Sequence, residues 1–395
     1  MMQKKMHRYP GIIRALGDWY TVMVAIGPYH HGREHLKAAE KMKHVAAYHC
    51  IRESGPSATK MYNAVASVAD DARRRYDKDA VAAAGIADDG FLPMMFYDAC
   101  FLVQYMLWRR NRSKKDMDRS LHSFFYSNRK DINHDVVLLE NQLPWPVVEA
   151  VMRFRHLPLE DFVAYWKDYL QDRKVVDNQR QKPLLDPSFQ PPHLLGLLRF
   201  YIVGRKSTST SNGRSSSTTP KNGALRLSVS AMELIHMGVE ERGTLFAELS
   251  LAQLSLNGAP ASFLVNMAAL ELCTTPNFQE AREEDSAVCS YLSLLTMLVH
   301  RKEDVHERRR KRVLQGGAGL VNKDALSFFT SLQSLPQGRR YVSVVVEIKE
   351  YKERRRVRIK VLAFVYKNRK TMVTVFSAIG VIVGFLSKLK SLNII

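Results

Sequence analysis

The side chains best suited to chemistry in this 395-residue chain are histidines and carboxylates set in turn-rich or apolar surroundings. His30 and His31 lie in Ile26-Gly27-Pro28-Tyr29-His30-His31-Gly32, with His35 and His49 close behind. Imidazoles carry protons near neutral pH and bind metals, but a metal site needs convergent, oriented ligands. Adjacent histidines point apart, and only His31 and His35 have the i,i+4 spacing of one helix face. The expected role is therefore a turn whose histidines hydrogen-bond backbone and cap a helix starting at Glu34. No metal or cofactor is expected.

Asp98 interrupts the apolar run Phe91 to Trp108, and Glu140 and Asn141 lie in Leu138-Leu139-Glu140-Asn141-Gln142-Leu143-Pro144. A buried carboxylate must find partners or its pKa rises, and raised carboxylates can act as general acids. The structural reading is preferred: Glu140, Asn141 and Gln142 satisfy backbone groups freed by Pro144 and Pro146. Asp98 and Glu140 are expected to share one buried network with an arginine or histidine. The alternative is an enzyme with an unrecognised site around Asp98, Glu140 and the His30-His31 turn. Standard catalytic and nucleotide patterns are absent: there is no G-x-S-x-G, P-loop, G-x-G-x-x-G or H-E-x-x-H. Cys50, Cys100, Cys273 and Cys289 include no C-x-x-C pair, so neither zinc nor redox spacing is present.

The elements that must position these residues are mostly helical. Apolar residues recur at spacings of three and four in Glu34–His49, Thr59–Tyr76, Leu157–Leu170, Pro192–Val203, Ser262–Cys273 and Ser286–His300. Asp135–Phe154 shows the same spacing and is expected to form two helices parted at the Pro144 and Pro146 corner. Phe91–Trp108 is long enough to tempt a membrane assignment, but Pro93, Asp98 and Gln104 make it a buried core helix. Leu225–Met237 reads as helix, Leu245–Leu256 as one or two short strands, and Asp324–Leu332 and Val342–Tyr366 as helix again.

The Ser/Thr-rich stretch within 205–223 holds almost nothing apolar and reads as a flexible linker. It divides a helical lobe, 1–204, from a second helical lobe, 224–366. The fold class expected is mainly α: a two-lobed multi-helical body with few short strands and a C-terminal hydrophobic helix. That last segment, 367–395, is expected to be a membrane anchor.

Charge supports the anchor. There are 59 Lys+Arg against 39 Asp+Glu, and the excess concentrates late: Lys349–Lys370 has ten basic residues and two acidic ones. Met372–Leu386 follows without a charge, flanked by Lys367, Arg369 and Lys370 before it and Lys388 and Lys390 after it. These five are expected to meet anionic lipid headgroups. Fifteen residues fall short of the roughly twenty usual for a span; taking 371–387 with snorkelling lysines narrows the gap. The basic side places the body in the cytosol, with the plasma membrane the expected location and an unidentified protein as partner. Nucleic acid is the less favoured partner, because no known binding module accompanies the basic stretch.

Six segments, in order, resemble the plant family called domain of unknown function 247. They are His7–Pro10, Ile26–Gly32 with His35-Leu36, Met94–Leu102, Asp135–Pro144, His193–Leu195 and Glu233–Gly238. Ala99 stands where that family usually has Gly, and Asn368-Arg369-Lys370 replaces its usual Asn-Pro-Trp. The resemblance implies a plant protein, commonly membrane-associated, of unassigned activity. Some similar grass proteins are implicated on the pollen side of self-incompatibility. The expected function is thus non-enzymatic recognition or signalling.

Overall fold

The computed structural model describes residues 5–16, 21–55, 58–110, 117–171, 182–205, 226–230, 232–242, 246–255, 258–299, 301, 303–306, 314–315, 322–369, 371, 374, 377 and 379–381. The fold is mainly helical. A four-residue α1 (Gly11–Arg14) precedes the long α2 (Lys37–Ser54) and α3 (Ala58–Arg75), the short α4 (Lys78–Ala83) and the 23-residue α5 (Asp88–Arg110). Then come α6 (Arg119–Ser127), α7 (Arg129–Asp135), α8 (Trp145–Met152), α9 (Leu159–Leu170) and α10 (Leu194–Val203).

After these come the strands β1 (Arg226–Ser230), β2 (Gly238–Arg242), β3 (Phe246–Ala252) and β4 (Leu254–Ser255). Next are α11 (Gly258–Thr274), α12 (Ala287–Leu298), β5 (Leu314–Gln315), α13 (Asn322–Ser331) and α14 (Arg339–Lys367). The main sheet has the order β1-β3-β2, with β1 parallel and β2 antiparallel to β3. β4 and β5 pair in parallel.

Helix α5 is the centre of the first half. Met94, Met95, Ala99, Cys100, Phe101, Val103, Tyr105 and Met106 are buried, covering every side of the helix. That pattern belongs to a helix wrapped by others; α2, α3, α8 and α9 all pack on it. By length and composition α5 is the one described helix able to cross a membrane, yet it lies inside the core, as the sequence led us to expect. Pro93 lies inside the helix, where it removes the ladder bond to the Asp89 carbonyl. Local sequence fixes several helix starts: Asp77 accepts from Ala80 N, Asp118 from Ser120 N and Leu121 N, and His193 Nδ1 from Gly196 N.

The hydrophobic core is one contiguous cluster of buried residues running from Met6 to Val344. It includes α11 and α12 as well as the first helices, so the chain on both sides of the 205–223 stretch contributes to it. Residues 206–225 fall outside the described residues.

Two helix expectations are corrected. Leu225–Met237 holds β1 and a 3-10 turn at Leu234–His236. Its Leu227 and Val229 alternate with serines and pair with Leu249 and Leu251, so sheet pairing overrides the local helical spacing. Residues 136–144 are not helical either: α7 stops at Asp135 and α8 starts at Trp145. Val136, Val137, Leu138, Leu139 and Leu143 are all buried, and side chains rather than a helical ladder satisfy much of their backbone.

The last helix, α14, is 29 residues long. Its first half docks on α12 and β2, where Arg340 donates to Met237 O and lies 3.3 Å from Glu347 and 3.6 Å from Glu283. Glu347 Oε2 accepts from Val239 N at 3.0 Å. Gly238 permits the approach, since a Cβ there would meet Arg340 Nη2 at 2.7 Å. Of the expected hydrophobic helix Met372–Leu386, only residues 374, 377 and 379–381 are among the described residues.

Candidate functional site

The two segments that stand out in the sequence meet in space. Residues 22–27 run extended past the irregular stretch 136–144, and three buried side chains hold their N–H groups. Asp135 accepts from Val22, Met23 and Val24 at 2.9, 2.6 and 2.8 Å. Asn141 Oδ1 accepts from Ile26 N at 2.6 Å, while its Nδ2 donates to Val24 O and Asp135 O at 3.1 and 2.9 Å. Asp98 Oδ2 takes the Gly27 N–H at 2.8 Å.

Gly27 makes the crossing possible. Its φ of 78° and ψ of −176° lie in a region essentially closed to other residues. A Cβ there would stand 2.8 Å from Gln142 O and 2.9 Å from the Tyr76 hydroxyl. Tyr76 donates to that same Gln142 carbonyl at 2.8 Å. Pro28 and Tyr29 then open a 3-10 turn ending at His30, followed by His31 and by Gly32 at φ 76°.

Gln142 braces the other side. Its Nε2 donates to Val136 O and Leu138 O at 2.8 Å each, and its Oε1 accepts from Leu195 N at 2.9 Å. Leu139 N donates to Asn266 Oδ1 at 2.8 Å, and Tyr9 Oη donates to the same oxygen at 2.6 Å. Leu139 and Leu143 are buried in the core, and Pro144 caps α8. The expected bracing by Asn141 and Gln142 is thus present. It serves the backbone of Val24, Ile26, Asp135, Val136, Leu138 and Leu195 rather than groups freed by the prolines.

Asp98 and Glu140 belong to separate clusters. Asp98 Oδ1 lies 2.6 Å from Lys43 Nζ, and Lys43 also pairs with Glu40 at 2.7 Å. Burial alone would lower the Lys43 pKa; Asp98 and Glu40 outweigh it and raise it, so the ammonium stays charged. Burial pushes Asp98 upward, opposed by Lys43 and the Gly27 N–H. Glu140 accepts from Tyr9 N at 2.7 Å and lies 3.7 Å from both Arg8 and Arg14. Its ion-pair partners are the half-exposed Arg8 and Arg14, whereas Asp98 pairs with Lys43, so the single buried network expected for the two carboxylates is not formed. Sequence reasoning missed Lys43, although it occupies a buried position in line with Ala39, Ala46, Ala47 and Cys50 on α2. It also missed the latch role of Asp135, Asn266, and the buried pair Glu271–Arg199 at 2.6 Å.

His30 and His31 do not cap the following helix as expected. The 3-10 turn Glu34–Leu36 and α2 have no side-chain cap. Instead His30 is buried with neither ring nitrogen hydrogen-bonded, and His31 Nδ1 is likewise buried without a partner, among the described residues. Burial, with Arg33, Arg8 and His35 nearby, lowers the His30 pKa to about 4. His35 Nε2 lies 3.1 Å from Thr21 O.

Asp98, Glu140 and the histidine turn do not converge on a shared cavity. A surface pocket of about 430 Å³ lies elsewhere, between Arg199, Thr274, Asn277, Glu280 and Asp285. Among the described residues no group of three histidines, cysteines or carboxylates could hold a metal. The arrangement fixes the relative position of chain segments more than 100 residues apart and presents the histidine turn beside an arginine-rich N-terminal segment.

The profile of the plant family of unknown function DUF247 matches residues 6–383. The chain belongs to that family. It is also similar to a UPF0481 protein of Arabidopsis thaliana, 21% identical over 353 residues that cover 78% of this chain and 68% of the relative. No solved structure matches the chain. The hydrogen bond from Ile26 N to Asn141 Oδ1 joins two of the family-like segments, Ile26–Gly32 and Asp135–Pro144, directly to one another.

Proposed function

We propose that this DUF247 protein is a membrane-associated recognition or signalling protein without catalytic activity, working through protein–protein contacts. Its body would face the cytosol, and 371–387 would anchor it in a membrane, most simply the plasma membrane. Lys367, Arg369, Lys370, Lys388 and Lys390 would meet anionic headgroups there. Lys370, Lys388 and Lys390 fall outside the described residues, whereas Lys367 and Arg369 are exposed.

The observation that carries the reading is the exposure of large apolar side chains late in the chain. Phe364 is 60% exposed and Val381 72%, with Ile379 also exposed. Exposed apolar residues beside a dense basic run suit a bilayer surface better than water. The packing of Asp98 against Lys43 and of Glu140 against Tyr9 N, Arg8 and Arg14 supports a non-catalytic reading.

Alkaline-carbonate extraction of membranes from cells expressing the full chain, or a version ending at Lys370, tests the anchor. The full chain is expected to stay in the pellet and the shortened one to be released. Release of both would overturn integral anchoring.

A further inference from the structure

The network just described leaves one group of cations unaccounted for. Arg8 and Arg14, each about half exposed, flank Glu140 at 3.7 Å. That separation gives charge attraction but no hydrogen bond, so the guanidinium donors of both arginines stay available. Arg8 also stands over the ring of Tyr29, 5.9 Å from its centre, which places it against the histidine turn. Arg33, just past that turn, is exposed and makes no ion pair among the described residues. Arg8 and Arg33 thus lie beside the turn; among the described residues the carboxylates near it are Glu140, against Arg8, and Asp77, whose backbone N–H donates to the Tyr29 hydroxyl, while Glu34 is bound to Lys37 at 2.5 Å.

The second observation is inside the turn. His30 is 3% exposed with two unpartnered ring nitrogens, and His31 Nδ1 is buried without a partner. Burying polar groups with no partner is unfavourable and asks for an explanation. A bound anion supplies one: it accepts from imidazole N–H groups and relieves the repulsion among the arginines.

We propose that Arg8, Arg33 and the His30-His31 turn form a binding site for a phosphate group. Arginine forks match the oxygens of a phosphate bidentately, and a histidine beside it gains a proton to donate. Arg14 and Glu140 position Arg8, and Tyr29 supports its guanidinium face. The same chemistry could come from a soluble phosphorylated molecule or from a lipid headgroup, so both sources enter the test. The site is formed by Arg8, Arg33 and the His30-His31 turn, with Arg14, Tyr29 and Glu140 in support, and is independent of the C-terminal anchor.

The experiment uses the full chain in detergent micelles with isotope-labelled histidine, titrated with inorganic phosphate. Binding is expected to be saturable and to move the His30 ring titration upward by one pH unit or more. Arg8→Gln combined with Arg33→Gln is expected to weaken phosphate binding at least tenfold. Lys130→Gln combined with Lys323→Gln removes the same charge from exposed positions elsewhere and is expected to change it less than twofold. Equal weakening by both pairs would mean diffuse attraction by a basic protein and would overturn the site, as would an unmoved His30. In a second arm, phosphatidylcholine vesicles with and without phosphatidic acid are offered to the full chain and to the arginine variant. Capture that requires both phosphatidic acid and the two arginines identifies the source as a headgroup. Phosphate binding without such capture identifies a soluble ligand.

Discussion

Two buried histidines should make this protein sensitive to mild acid. His30 and His193 have pKa values lowered from the ordinary 6.5 to about 4 and about 3, in both cases chiefly by burial. Arg33, Arg8 and His35 add repulsion at His30, and His7 adds it at His193. Above pH 6.5 both rings are neutral in folded and unfolded chains, and stability does not depend on them. Below 6.5 the unfolded chain takes up protons that the folded chain refuses, so stability falls until the folded pKa values are reached. Lowering the pH from 7.5 to 5.5 therefore costs about 1.4 kcal/mol per histidine, about 3 kcal/mol together, or on the order of a hundredfold in the unfolding constant. His7, also lowered by burial and by Lys5, acts in the same direction. Asp98 and Glu271, raised by burial, act in the opposite direction as the pH nears the carboxylate range, which is why the comparison stops at 5.5.

The assay is urea unfolding of the full chain in micelles at the two pH values. The control is a double variant: His30→Phe keeps a ring without a titrating group, and His193→Asn keeps an acceptor for Gly196 N at the start of α10. The wild type should lose about 3 kcal/mol and the double variant less than about 1 kcal/mol. A wild type equally stable at both pH values, or a double variant with the full loss, would refute the assignment of the effect to these rings.

Two further outcomes follow from the latch. Lys43→Met strands the buried Asp98 carboxylate and should cost about 3–5 kcal/mol in urea unfolding; adding Asp98→Asn, which still accepts from Gly27 N, should restore a large part of it. A loss below about 1 kcal/mol for the single change would show that the pair is not held as described. Gly27→Ala should cost on the order of 3 kcal/mol from backbone strain and contact with Gln142 O. Gly32→Ala, at a similar φ but with nothing within 4 Å, should cost about 1–2 kcal/mol by the same measurement; equal costs would remove the close approach as the cause.

Sequence by itself determined most of the helices, because a helix that buries one face must repeat apolar residues at three and four positions. Met61, Val65, Ala69 and Ala72 on α3 do so and are all buried. It also determined that α5 is a core helix: Asp98 could be carried there only with a partner, and packing supplied Lys43. The six family segments were legible as strings of residue types, and the chain's membership in DUF247 agrees with them.

What only the tertiary structure decided is which distant groups satisfy one another. The spacing in 136–144 imitates a helix because Val136, Leu139 and Leu143 are buried, but they are buried from several directions at once. Periodicity records burial on one face; it is silent when a segment is enclosed. There the backbone hydrogen bonds go to Gln142 and Asn266, and Asp135, Asn141 and Asp98 serve a segment more than 70 residues earlier in the chain. Such pairings leave no local pattern, since any Asp or Asn can accept a hydrogen bond and only the fold brings it to the donor. β1 shows the same limit: its helical spacing yielded to pairing with β3, whose partner residues lie 22 positions away.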